Sequence, residues 1–533
     1  MRRLEGPAVV LAATLAGGGI GAWLVGAHAA QSAPRTESAS QWYADGQATL
    51  AAALKMSPPG LRAKNVILFI GDGMGVSTVT ASRILEGQMQ GGLGEDHQLS
   101  FETLPYLALS KTYSANQQVA DSAPTMTAMV TGVKTNDAVI GLDQGAVHGN
   151  IASARGHELT TLLELAEDAG LSTGIVSTAR VTHATPAATY AHTVDRNWED
   201  DASTPAAERA AGYPDIARQF VELRHGNGIE VALGGGRAQF RPAGAADPEY
   251  PRQGGNRLDG RDLAGEWVRQ RPRSQYVWTA AQFAAVDPAR TDRLLGLFEP
   301  SHMQYEHDRS RDAAGEPSLT EMTATAMDIL SRNTRGYFLM VEAGRIDHAH
   351  HGGNAFRALT DTIELSNAVR LAMRRTRQDD TLIIVTADHS HSLTLSGSAT
   401  RGNPILGLVR DNAADGRPAA HPALALLRTP YTTLGYRDGP GWAGASPAQP
   451  EGAKRFPHEP TSIQMPTSRP GLARHDTRDP DYMQEVSVPL GSESHSGEDV
   501  AIYAGGPASQ LFHGVREQHY IFHVMAYALR LRQ

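Results

Sequence analysis

The chain of 533 residues has no cysteine. That excludes a disulfide framework, a thiol nucleophile, a lipid-modified cysteine and any metal site built on thiolate. It also lacks long runs of one charge sign. With 48 Lys plus Arg against 57 Asp plus Glu, the formal net charge is -9. A nucleic acid or an anionic membrane would favour a basic face, which this balance does not offer. No internal repeat is present. Hydrophobic residues at 41% and charged residues at 20% are ordinary for a globular protein, which excludes a fibrous or disordered chain. What remains abundant is nitrogen and oxygen donors: the acidic residues above and 21 histidines.

The N-terminus has the form of a processing segment. Arg2 and Arg3 precede a mostly apolar stretch from Pro7 to Val25, and Ala27-His28-Ala29 supplies a small-x-small site. We expect a signal peptide over residues 1–29 and export to a periplasm or the extracellular space. The alternative is an uncleaved anchor helix, weakened by Gly17, Gly18 and Gly19. Residues 30–62 read as a linker followed by a helical arm over Gln41–Met56, stopped by Pro58-Pro59-Gly60.

From there short apolar runs alternate with amphipathic stretches. The runs are Val66–Ile70, Thr173–Ser177, Glu230–Leu233, Tyr337–Val341, Thr381–Val385 and Val500–Tyr503. The stretches between them include Leu159–Ala169, Leu319–Leu330 and Ala355–Arg375. Continuously apolar strands alternating with helices imply an α/β fold: a large, mostly parallel sheet sandwiched between helices. Residues 396–489, rich in Pro, Gly, Arg and Ala, break the alternation and read as a partly folded insertion.

In such sheets ligands bind beyond the carboxyl ends of the strands, and that is where the polar residues fall. Asp72 follows the first run, between Gly71 and Gly73. Ser122 opens a run of helix formers; alone it is a common N-cap, but at a helix N-terminus it also suits a nucleophile facing an anion. His183 and Thr185 follow the second run, and Arg196 comes eleven residues after Thr185. A guanidinium fork is a natural clamp for an oxyanion. Glu342 closes the run that leads into Asp347, His348, His350 and His351; Asp347 and His351 are four apart and share a face if the segment is helical. That pairing suits zinc. Asp388 and His389 end another run, and His495 precedes the last. Asp72, Thr185, Glu342, Asp347, His351, Asp388, His389 and His495 exceed what one tetrahedral zinc needs. They suit two imidazole-bearing sites and one all-oxygen site.

The segments GDGMG, DSAPTMTA, THATPAATYAHTVDRNW, VEAGRIDHAHH, TADHSH and ESHSGEDVAIYA together resemble the alkaline phosphatase family, from about Ala63 to the C-terminus. DPEYP with QGGNRLDG, and GLFEP ahead of EPSLTEM, resemble its mammalian-type branch. The resemblance implies a catalytic domain over 63–533 and hydrolysis of phosphate monoesters through a phosphoserine on Ser122. Arg196 would clamp the phosphate and His348 would orient water or phosphate, with His183 beside them. It implies one zinc on Asp347, His351 and His495, a second on Asp72, Asp388 and His389, and magnesium on Asp72, Thr185 and Glu342. It implies a calcium site on Glu249, the Phe298 carbonyl, Glu299 and Glu316, where the family often has Asp at the last position. A homodimer is implied too, with 396–489 as a crown-like loop at its interface and the N-terminal helix as an arm on the partner. The alternatives are a phosphodiesterase or sulfatase of the same superfamily, or a non-catalytic envelope protein that binds metal or phosphate. Ser122-Ala123-Pro124-Thr125-Met126 lacks the arginine a sulfatase would need, and pure binding needs no nucleophile.

Overall fold

In a computed structural model the chain is described over residues 38–56 and 62–531. The expected signal peptide lies outside the described residues, and no described helix is long and apolar enough to cross a membrane.

Ten strands form the main sheet. In chain order they are β1 (Asn65–Gly71), β2 (Tyr106–Lys111), β3 (Ser172–Arg180), β4 (Val231–Gly235), β5 (Ser274–Val277), β6 (Arg293–Leu297), β7 (Tyr337–Ala343), β8 (Thr381–Thr386), β9 (Val500–Gly505) and β10 (Gly514–Glu517). Their spatial order is β10-β2-β9-β8-β1-β7-β3-β4-β6-β5. The seven strands from β8 to β5 are parallel, and β9 runs antiparallel to both its neighbours. The fold is the expected α/β sandwich.

β1 shows why the strands read as unbroken apolar runs. Val66, Leu68 and Ile70 enter one core, and Ile67 and Phe69 enter the other. Successive side chains alternate faces, so a sheet covered on both sides demands apolar residues at every position. Leu319–Leu330 and Ala355–Arg375 are helices over the bounds expected and pack against each other on one face. The helix expected from Leu159 begins only at Leu162, because Thr161 and Glu164 form a capping box that fixes its start. The short outer strands β2, β5, β6 and β10, of which β10 and β5 form the edges, were not anticipated.

The N-terminal helix (Ala39–Met56) packs on the last helix of its own chain (Tyr520–Leu529). Trp42 meets His519 edge-on at 5.8 Å and Tyr43 meets His523 at 4.9 Å. Gly46 permits this approach: a Cβ there would fall 2.1 Å from His523 Nε2. The 396–489 segment follows the strand Leu393–Leu395 and ends in the strand Val486–Pro489, which with Leu434–Gly439 make a separate three-stranded sheet. Its Ile405, Leu406, Leu434 and Tyr436 join the main core, so the insertion is anchored to the body.

Candidate active site

The central strands β8, β1, β7 and β3 are neighbours and parallel, so their carboxyl ends deliver side chains to one edge. They supply Asp388 and His389, Asp72, Glu342, and His183 with Thr185. β9 runs the other way, so its preceding segment reaches the same edge with His495.

Ser122 is the first residue of the helix Ser122–Thr131, and its N-cap is Asp121, whose carboxylate accepts from the Ala123 N–H. The capping role falls to the neighbour, leaving the serine hydroxyl free. Ser122 is 2% exposed. Its Oγ lies 3.3 Å from His389 Nε2 and 3.5 Å from Asp72 Oδ1. Arg196 comes alongside, paired to Asp121, with its Nη2 donating to His183 Nε2 at 2.8 Å.

Asp347 and His351 do share a helical turn, in Arg345–His351. Asp347 lies 3.4 Å from both His351 Nε2 and His495 Nε2, and those two nitrogens are 3.1 Å apart. The far nitrogen of each ring settles its tautomer. His351 Nδ1 donates to the Glu493 carbonyl at 2.6 Å and His495 Nδ1 to the Ala120 carbonyl at 3.1 Å. Both Nε2 lone pairs therefore face one point beside a carboxylate, the arrangement a zinc ion takes. His350, from the same cluster, turns away to Thr78 and Tyr436.

Asp72 and Asp388 are fully buried, as is His389. Asp388 Oδ1 accepts from the Gly73 and His389 N–H groups, whereas its Oδ2 has no hydrogen-bond partner. Gly73 has φ +69°, and a Cβ there would strike the His391 ring at 2.3 Å. Glu342 accepts from the Ser177 hydroxyl at Oε2. Asp72 Oδ2, Thr185 Oγ1 and Glu342 Oε1 are all buried without a hydrogen-bond partner. Buried oxygens are seldom left so, and these three are the oxygen set a magnesium ion would take.

The electrostatics point the same way. Burial, then Asp388, Asp347 and Glu342, holds the Asp72 carboxyl well above its ordinary range. Burial pushes Glu342 up to about 7. Burial drives the His389 and His183 imidazoles well below theirs, keeping them neutral. Crowded carboxylates that repel one another beside neutral imidazoles form a site for cations.

At a second place, Glu249, Glu299 and Asp312 bring ligand oxygens within 4.8 Å of one another. Burial and Glu299 raise Glu316 beside them to about 9, and its Oε2 has no partner. The Phe298 carbonyl accepts from Arg237, which also pairs with Glu249. The cluster expected from Glu249, Phe298, Glu299 and Glu316 thus gains Asp312, whose two carboxylate oxygens are buried without partners. Asp312 carried no strand-end signal in the sequence.

Sequence reasoning also missed His391, which bridges Asp347 Oδ1 at 2.7 Å and Glu493 Oε2 at 2.5 Å. It missed His302, whose ring centroid is 4.0 Å from that of His348. His391 stood in view two residues after His389; His302 lies in a segment with no motif.

A buried serine on a helix N-terminus, an arginine beside it and clustered metal-ligand side chains at the carboxyl edge of a parallel sheet define a metal-dependent hydrolase site. The Alkaline phosphatase family model matches residues 63–531. The tissue-nonspecific alkaline phosphatase isozyme of Gallus gallus is 44% identical over 501 residues, covering 93% of this chain and 90% of that protein. An alkaline phosphatase of Gadus morhua is 43% identical over 477 residues, covering 89% and 93%. Among solved structures, Thermus thermophilus alkaline phosphatase superposes with a TM-score of 0.61 at 25% identity, covering 90% of this chain and 94% of that one. The alkaline phosphatase of the Antarctic bacterium TAB5 superposes at 0.57 and 21% identity, covering 89% and 100%, a likeness of fold. The chain belongs to the alkaline phosphatase family.

Proposed function

We propose that the chain hydrolyses phosphate monoesters, the activity of its family, through a phosphoserine on Ser122. The observation that carries this is the position of Ser122 Oγ, buried at a helix N-terminus among Asp72, His389 and Arg196. The backbone N–H groups of that helix end favour the incoming phosphate. Arg196 holds two non-bridging oxygens by its fork. Ser122 Oγ bonds to phosphorus as the ester P–O bond breaks and the alcohol leaves. Water then attacks the phosphoserine, releasing inorganic phosphate and restoring the hydroxyl, with His348 orienting water or phosphate.

Asp347, His351 and His495 would hold one zinc and Asp72, Asp388 and His389 the other. Asp72, Thr185 and Glu342 would hold magnesium, with His183 nearby. When bound, such ions supply positive charge to the oxygens of the displacement and lower the pKa of water. Glu249, the Phe298 carbonyl, Glu299 and Glu316 would hold calcium, and Asp312 adds a further carboxylate there. We further propose export directed by residues 1–29 and assembly as a homodimer, with the anchored 396–489 insertion as the crown-like element.

The test is Ser122→Ala. Turnover of phenyl phosphate should fall by orders of magnitude while zinc content stays at the parental level. Parental turnover in that variant would assign the nucleophile elsewhere.

A further inference from the structure

Leu434–Gly439, with the sequence LGYRDG, is the middle strand of the small sheet and belongs to the 396–489 insertion. Successive side chains of a strand alternate faces. Leu434, Tyr436 and Asp438 are buried, and Arg437 between them is exposed. Leu434 and Tyr436 are apolar enough for the core they join. Asp438 is a carboxylate on the same face, and only 2% of it is exposed. A buried carboxylate is costly unless its oxygens are satisfied, so what those oxygens hold is informative.

Each of them holds Ser494. Oδ1 accepts from the Ser494 N–H at 3.0 Å and Oδ2 from the Ser494 hydroxyl at 2.9 Å, with Arg437 pairing to Oδ2 at 3.2 Å from the solvent side. The residue after Ser494 is His495. Two positions earlier on the same face of the strand, the Tyr436 hydroxyl is hydrogen-bonded to His350 Nδ1 at 2.7 Å. The residue after His350 is His351. At the end of the strand Gly439, at φ +131°, lies against Glu493, where a Cβ would fall 2.9 Å from the Glu493 Cβ. Glu493 in turn donates its N–H to the His351 carbonyl at 2.9 Å and accepts His351 Nδ1 at 2.6 Å. One strand of the insertion therefore grips the chain neighbour of each of the two histidines whose Nε2 atoms are 3.1 Å apart. Groups that orient a metal's ligands tune its affinity as the ligands themselves do.

We propose that Tyr436 and Asp438 are positioning residues for the pair His351 and His495, and that through them the insertion sets how tightly the site of Asp347, His351 and His495 holds zinc. This rests on the metal assignment within the phosphatase reading above.

The test is to equilibrate the zinc- and magnesium-loaded full chain with rising concentrations of a competing chelator and to follow bound metal by elemental analysis. In Tyr436→Phe and in Asp438→Ala one of two zincs should be held about tenfold more weakly, the lower end of what such orienting groups contribute. The other zinc and the magnesium should keep parental affinity. Asp438→Asn, whose amide can still meet both Ser494 groups, should fall between the parent and Asp438→Ala. The zinc concentration for half-maximal phenyl phosphate turnover should rise by the same factor, with KM at saturating zinc unchanged. A side chain that only stabilised the fold would lower the thermal midpoint without singling out one zinc. Parental affinity for both zincs in either Tyr436→Phe or Asp438→Ala would overturn the proposal, as would equal weakening of all three ions. So would as large a loss in Asp438→Asn as in Asp438→Ala, since charge and not the hydrogen bonds would then be acting. Failure of the phosphatase reading shows separately, as a parent chain that binds zinc and does not turn over phenyl phosphate; the zinc comparison stands apart from it.

Discussion

Arg196 is ion-paired to Asp121, the residue immediately before Ser122. The guanidinium and the nucleophile are thereby held through one short piece of backbone, since Asp121 also caps the helix that Ser122 begins. A side chain fixed before substrate arrives loses little freedom on binding it, which is how pre-organised contacts gain strength.

The clamp geometry can be tested with Arg196→Lys. An ammonium keeps the charge and can still pair with Asp121, but it lacks the planar fork that grips two oxygens. We expect kcat/KM for phenyl phosphate to fall by about tenfold or more, and inhibition by inorganic phosphate to weaken in parallel. Steady-state kinetics decides it; parental kcat/KM would show that charge alone, without the fork, is what Arg196 contributes.

The facing Nε2 atoms of His351 and His495, 3.1 Å apart, lead to a second expectation. Two lone pairs at that distance are stabilised only by a shared cation or proton. Stripping metal with a chelator should abolish activity and lower the thermal midpoint, and zinc with magnesium should restore both. A ligand present at ~100 times its Kd adds about 2.7 kcal/mol of stability. In His495→Ala, elemental analysis should find one zinc fewer per chain. Full metal content in that variant would remove His495 from the ligand set.

The parts of this molecule that were legible in the sequence are those where one physical demand acts alone. A strand buried on both faces needs apolar residues throughout, so β1, β7 and β8 could be read to within a residue or two, and the polar residue ending each run marked the site. The outer strands near the sheet's β10 edge follow a mixed demand. Tyr106 and Leu107 in β2 are exposed and Ala108 is buried, so no clean run forms. His391 was passed over because its partners, Asp347 and Glu493, are 44 and 102 residues away. Asp312 and His302 come from loops, whose positions depend on tertiary packing that local pattern does not encode.

Asp312 gives the next prediction. Its two orphaned oxygens close the cluster of Glu249 and Glu299. If the cluster holds calcium, adding calcium should raise the thermal midpoint of the chain, and Asp312→Asn should reduce that gain by weakening the site about tenfold. Calorimetry with and without a calcium-selective chelator reads it directly. Equal calcium-dependent shifts in parent and variant would exclude Asp312 as a ligand.

The docking of the N-terminal helix supplies a pH dependence. His519 and His523 are buried beneath Trp42, Tyr43 and Gly46. Burial, reinforced by nearby Lys134 and Lys111 and opposed by Glu517, lowers His519 from an ordinary 6.5 to about 3; burial lowers His523 to about 4. The folded chain therefore keeps both rings neutral where the unfolded chain protonates them. Their neutral burial costs nothing extra above pH 6.5. As pH falls below that value the unfolded chain binds protons the folded one refuses, and stability is lost progressively toward the folded values of about 4 and about 3. At pH 5 each ring should account for a loss of about 2 kcal/mol, so the pair for about 4 kcal/mol. Denaturant unfolding at pH 7.5 and pH 5 should show that loss in the parent and a much smaller one in His519→Phe/His523→Phe, whose rings stay neutral at every pH. Metal-saturating buffer in all four measurements leaves the acid sensitivity of the catalytic ligands common to both proteins, so it cancels in the difference. Equal losses in the two proteins would place the acid sensitivity outside the helix contact.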